Sequence, residues 1–85
     1  MKKPSVLGVP LKERSTSYGA TWRCRSGNVR VAIEHMSVGY RDPYFAAHAG
    51  PVGKPTHFFG SFGSVLHAAR YLDAFLRGLG LKEKR

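Results

Sequence analysis

Acidic residues are scarce in this chain: five Asp and Glu stand against fourteen Lys and Arg in 85 residues, a formal net charge of +9. The five are scattered as Glu13, Glu34, Asp42, Asp73 and Glu83, so no carboxylate pair offers general acid–base chemistry. Cys24 is the single cysteine, which excludes an intrachain disulfide and a multi-cysteine zinc site. No run approaches the ~18 apolar residues of a membrane span. Pro4, Gly8, Pro10 and Lys12 interrupt the segment that would have to be the apolar centre of a signal peptide. No Ser-His-Asp grouping is visible, and no cofactor motif. These absences lead to the expectation of a non-catalytic protein with no cofactor and no membrane contact, in a cytoplasmic setting.

Histidine is the remaining source of metal ligands. His48 and His57 can be placed across a hairpin from one another, but two His without Cys or a nearby carboxylate make a poor zinc site, and His35 and His67 add no spacing. No metal is expected. "GSFG" (Gly60 to Gly63) precedes a helix start, where N–H groups can hold phosphate. It has neither the spacing nor the Lys of a phosphate-binding loop, and reads as a strand-to-helix turn.

What the chain does have is enough apolar content for a core, with a 42% hydrophobic share and five Phe, four Tyr and one Trp. Its length allows one domain. Residues 1–17 read as a basic arm, rich in Pro and Ser, that adds an edge strand, wraps the domain or stays mobile; 18–81 read as a small α+β domain, and 82–85 as a basic tail. Between Pro4 and Leu81 nine bases still face four acids, so the body of the domain is basic too.

Period-two alternation puts Tyr18, Ala20, Trp22 and Cys24 on one face, and Val29, Val31 and Ile33 on one face of the next run. Gly27-Asn28 between them suits a two-residue type II′ hairpin turn, in which Gly supplies the positive φ at the first position. The register then follows by counting. Trp22 meets Ile33, Cys24 meets Val31, Arg23 meets Ala32 and Arg25 meets Arg30. "YFAAHAG" (Tyr44 to Gly50) and "THFFGSF" (Thr56 to Phe62) form a second hairpin around "PVGKP", its facing left open because aromatics occupy both parities. Ser64 is a good N-cap for a helix whose apolar arc is Val65, Ala68, Ala69, Leu72, Phe75, Leu76 and Leu79, ended by Gly78 or Gly80. Asp73 and Arg77 form a favourable i,i+4 pair. The expected architecture is an antiparallel sheet of three to four strands with one face packed by a single C-terminal helix.

The other face then carries Arg23, Arg25 and Arg30. Like charges directly opposite cost a sheet up to about 1 kcal/mol. An anion between them converts that repulsion into charge-assisted hydrogen bonds, and the planar guanidinium fork suits phosphate. A two-stranded ribbon also fits a DNA major groove. Arg41 and Lys54, in loops, extend the candidate anion-binding set. Tyr40, Tyr44, Phe45, Phe58 and Phe59 are candidates for stacking on unpaired bases, in competition with the core.

Three motifs in the C-terminal half resemble the AP2-type DNA-binding domain and its relatives in phage-type integrases and homing nucleases. They are "YFAAH" (Tyr44 to His48), "FFGSF" (Phe58 to Phe62) and "AARYLDAF" (Ala68 to Phe75), and the resemblance covers about Tyr44 to Leu79, under half the chain. It implies a sheet packed on one helix and duplex DNA held through the sheet. Where that family carries Arg and Trp in its last strand, this chain has Thr56 and Phe58, so its charge is expected on the "WRCRSGNVR" hairpin instead. The sequence thus points to a nucleic-acid partner, DNA before RNA. The alternative is a small interaction or inhibitor protein, such as a mobile element encodes, whose basic face docks on the acidic surface of a nucleic-acid enzyme. It leaves the oligomeric state open.

Overall fold

A computed structural model of the chain describes residues 4–16, 19–37 and 42–80. The strands are β1 (Ser5–Val6), β2 (Val9–Pro10), β3 (Lys12–Thr16), β4 (Gly19–Ser26), β5 (Val29–Met36), β6 (Tyr44–Pro51) and β7 (His57–Phe62), followed by the helix α1 (Val65–Gly78). Strands β3 to β7 form one antiparallel sheet in sequential order, and β1 and β2 form a separate two-stranded hairpin. The class is α+β with a C-terminal helix on one sheet face, as expected. The sheet is larger than expected, with five strands rather than three or four. The additional strand comes from the N-terminal segment, where "KERST" pairs along β4 from Lys12 opposite Arg23 to Thr16 opposite Gly19.

The central hairpin has the counted register. Trp22 lies opposite Ile33, Arg23 opposite Ala32, Cys24 opposite Val31 and Arg25 opposite Arg30. Gly27 takes φ 59°, and no positive φ occurs at Asn28, which is the II′ pattern. Tyr18 lies outside the described residues; Trp22, Cys24 and Val29 are half-buried against the core.

The second hairpin resolves its facing through a bulge. Ala47 pairs with Gly60 and His48 with Phe58, so Phe59 is an extra residue on β7. The extra residue turns Phe59 and Phe62 toward the helix while Phe58 stays on the opposite face, 59% exposed. It also undoes the expected His48–His57 pairing. His57 lies opposite the buried Ala49, on the helix side, and His48 lies opposite Phe58 on the other.

The core sits on a single side of the sheet. Val31 and Ile33 of β5 and Ala47 and Ala49 of β6 pack against Ala68, Ala69, Leu72 and Leu76 of α1. Small residues at Ala47, Ala49, Ala68 and Ala69 let the helix approach the sheet closely. Ser64 caps α1, its Oγ accepting from the His67 N–H at 3.1 Å. The helix runs through Gly78, and Gly80, at φ 93°, ends it by donating to the Arg77 carbonyl at 3.0 Å. Phe75 and Leu79, expected in the buried arc, are 37% and 65% exposed. Phe75 lies on the β7 side, where the sheet ends, and Leu79 is the cap residue past the last helical position, Gly78.

Residues 4–11 close the remaining core. The β1–β2 turn places both Leu7 (φ 52°) and Gly8 (φ 78°) in the left-handed region. For Leu that conformation costs about 1 kcal/mol or more. Two contacts offset it. The Leu7 side chain is 1% exposed in the core, and its N–H donates to Asp73 Oδ1 at 2.7 Å. Asp73 also accepts from Arg77 Nε at 2.9 Å, so the i,i+4 pair read from the sequence anchors the hairpin tip to the helix as well.

Candidate nucleic-acid interface

The sheet face away from α1 is built in rows that cross the strands. One row runs Lys12, Arg23, Ala32, His48, Phe58; the next runs Arg14, Thr21, Glu34, Ala46, Ser61; a third joins Arg25, Arg30 and Gly50. Strands sit about 4.8 Å apart, so neighbouring side chains within a row are within reach of one another. Lys12, Arg14, Arg23, Arg25 and Arg30 are all exposed, and all occupy the β3–β5 side of this face. A groove of about 900 Å³ runs along them, lined also by Glu13 and Glu34, by Thr56 and by Val9 and Pro10 of β2.

Arg25 and Arg30 relieve their mutual repulsion by turning to different backbone acceptors. Arg25 donates Nε–H to the Gly27 carbonyl at 3.1 Å, and Arg30 donates from Nη2 to the Lys54 carbonyl. Each guanidinium has five N–H donors, and each spends one on these bonds. The Lys54 contact is possible because the 52–56 loop folds back across Gly50, the neighbour of Arg30 in its row. A Cβ on Gly50 would lie 2.9 Å from both the Pro55 carbonyl oxygen and the Thr56 Cα. The same fold-back lets the Val52 N–H donate to the Asn28 carbonyl at 2.7 Å. Lys54 is thereby carried to the Arg30 corner of the face.

Among the described residues the ion pairs are Glu34–His48, at 3.8 Å, and Asp73–Arg77. Neither neutralises any of the five sheet cations. Glu34, the one acid on this face, faces His48 toward the β6–β7 side, where His48 also lies 5.5 Å from the exposed Phe58 ring. The face is therefore graded, from unpaired positive charge over β3–β5 to a neutral, partly aromatic end over β7.

Of the residues picked out from sequence, Arg23, Arg25, Arg30 and Lys54 come together here, while Arg41 lies outside the described residues, as does Tyr40. Lys12 and Arg14 were missed. Their signal is the period-two spacing of Lys12, Arg14 and Thr16, hidden inside a segment that looked like an arm. Among the candidate stacking aromatics, Phe45 packs edge-on to Trp22 and Phe59 lies 4.7 Å from Phe75, on the helix side; Tyr44 is half-buried, and Phe58 alone of the described ones is exposed. Among the described residues no three His, Cys, Asp or Glu side chains converge as metal ligands would. Cys24 is half-buried, and desolvation pushes its thiol up to about 11, which keeps it protonated and a poor nucleophile at neutral pH. No helix among the described residues is long and apolar enough to cross a membrane.

Comparison with known proteins returned no matching family, no matching curated protein and no matching solved structure.

Proposed function

We propose that this chain is a non-catalytic nucleic-acid-binding protein that grips the phosphate backbone with the β3–β5 end of its open sheet face. The observation that carries the reading is the convergence of five exposed cations from three strands, Lys12, Arg14, Arg23, Arg25 and Arg30, with no acidic partner among the described residues. Concentrated like charge on a rigid sheet costs stability unless a polyanion neutralises it. Arginine supplies four of the five, and its fork matches phosphate oxygens. The groove along these residues gives a backbone a track to follow. Duplex DNA is the first choice of substrate, on the resemblance of the β6–β7–α1 segment to the AP2-type domain; the cytoplasm is the corresponding setting.

The test is a binding titration of duplex DNA, single-stranded DNA and duplex RNA with the wild-type chain and an Arg25→Glu/Arg30→Glu variant. Charge reversal abolishes retention on nucleic acid at moderate salt if the reading is right. Unchanged retention refutes it. A stoichiometric protein partner captured from nuclease-treated lysate, with no nucleic-acid binding, would move the same face to an acidic protein surface.

A further inference from the structure

The two edges of the sheet are unlike. Strand β3 carries Lys12, Glu13 and Arg14, and such charges discourage a further strand from adding there. Strand β7, "HFFGSF", carries no Asp, Glu, Lys or Arg, and no strand pairs with its outer side among the described residues. Its flanks are aromatic on both faces. Phe58 lies on the open face, 59% exposed. On the helix face Phe59 and Phe62 form a continuous ring cluster with Tyr71 and Phe75, at centroid distances of 4.7 Å (Phe59–Phe75) and 5.2 Å (Phe62–Tyr71). Tyr71 and Phe75 remain 42% and 37% exposed at its outer rim. The charged residues of α1 are turned away. Asp73 is bonded to Leu7 and Arg77 to Asp73, on the β1 flank, and Arg70 follows the same side of the helix at 100° per residue.

We infer that β7 pairs with β7 of a second copy of this chain, joining two five-stranded sheets into one ten-stranded sheet about a two-fold axis. An exposed, uncharged, apolar edge is a ready template for strand addition. Charge selects the occupant. A chain of net charge +9 repels its own copy over most of its surface, and the β7 strip with the His67–Tyr71–Phe75 flank is where neither copy carries a formal charge. An acidic partner, by contrast, gains nothing at this strip and is drawn to the arginines instead. Antiparallel pairing is self-complementary under a two-fold axis, so one patch serves both subunits.

The spacing also fits. Helix α1 lies over β6 and contacts β5 and β7 beside it. In the dimer the two β6 strands are three strand spacings apart, roughly 14 Å. Two helices about 10–12 Å across, side chains included, lie side by side at that separation, so the Tyr71 and Phe75 rings of the two copies meet between them. A two-fold axis perpendicular to the sheet keeps both helices on one side. Both cationic faces then point the other way, as a single surface. The pairing itself does not depend on what those faces bind.

Sedimentation equilibrium of nuclease-treated protein over a range of micromolar concentrations tests this. The expected mass is twice 9.4 kDa, falling to one copy on dilution. Phe58→Lys with Tyr71→Lys, both at exposed positions, and separately Ser61→Lys on the same strand, give monomers with unchanged far-UV circular dichroism. Amide exchange in Gly60–Phe62 slows with rising concentration in the wild type and does not in the variants. A wild-type monomer at every concentration overturns the inference. So does a dimer that survives the lysine substitutions, or one lost only when Lys12 and Arg14 are replaced. A dimer that binds no nucleic acid leaves this inference standing and removes the functional proposal instead.

Discussion

Replacing Arg25 and Arg30 with Gln tests the cationic face through its salt dependence. Six cations border the groove or its corner: Lys12, Arg14, Arg23, Arg25, Arg30 and Lys54. If each neutralises one phosphate of duplex DNA, the slope of log affinity against log salt is about −5, because each contact contributes about −0.9. Raising salt fourfold, from about 50 to about 200 mM, then weakens binding by about a thousandfold. The double variant loses about 1.8 from the slope, so the same salt step weakens it by only about 80-fold. Arg70→Gln, on the helix side of the sheet, leaves the slope unchanged. Fluorescence anisotropy with a labelled duplex at four or five salt concentrations reads all three values. Unfolding is not an available explanation for the loss. The substitution removes a like-charge pair and two surface hydrogen bonds, changes of opposite sign that sum to within about 0.5 kcal/mol. A double variant with the wild-type slope, or an Arg70 variant that loses as much, refutes the assignment of phosphate contacts to this face.

Three further outcomes follow from the packing and the local chemistry. Gly50→Val drives a side chain into the Pro55 and Thr56 backbone 2.9 Å away. It destabilises the fold by about 1–3 kcal/mol, read as a lower thermal midpoint. Asp73→Ala strips the Leu7 N–H of its acceptor at a left-handed residue and breaks the Arg77 pair, costing about 1–3 kcal/mol in urea unfolding; an unchanged midpoint would mean that the hairpin tip is not anchored there. Cys24, with its thiol raised to about 11, stays neutral in the folded chain while the unfolded chain ionises it near 8.5–9. Its contribution to stability is therefore complete below pH ~8.5 and is lost as pH rises toward ~11. Relative to Cys24→Ala, the wild type loses stability across that window, and its alkylation at pH 7 is slow in native buffer and fast in denaturant.

The central hairpin was fully legible because its information is local. Two period-two runs and a Gly27-Asn28 turn fix a register by counting, and a slip of one residue would bury Arg23 and expose Trp22. Helix α1 was legible for the same reason, from Ser64 at its start to the Ala68, Ala69, Leu72 and Leu76 stripe. Two of the arginine-hairpin neighbours were not, and a third, Lys54, was named without the route that brings it there. Lys12 and Arg14 reach the face only when "KERST" pairs with β4, and a five-residue strand with no apolar member offers only the period-two spacing of Lys12, Arg14 and Thr16 until its partner is in place. Lys54 reaches it only through a loop that folds over Gly50.

The bulge at Phe59 is the clearest case of tertiary decision. Alternation alone sends either Phe58 or Phe59 to the core and leaves the choice undetermined; one added residue satisfies Phe59 and Phe62 together under the helix. It leaves Phe58 in solvent and His48 opposite it rather than His57. The sequence by itself determined the fold class, the hairpin register and the excess positive charge, since periodicity, turn chemistry and composition are written residue by residue. Only the tertiary structure decided which further cations join Arg23, Arg25 and Arg30 on their face, which edge of the sheet is charged and which is bare. Those depend on contacts between segments far apart in the chain, where the energy of one pairing is set by everything packed behind it.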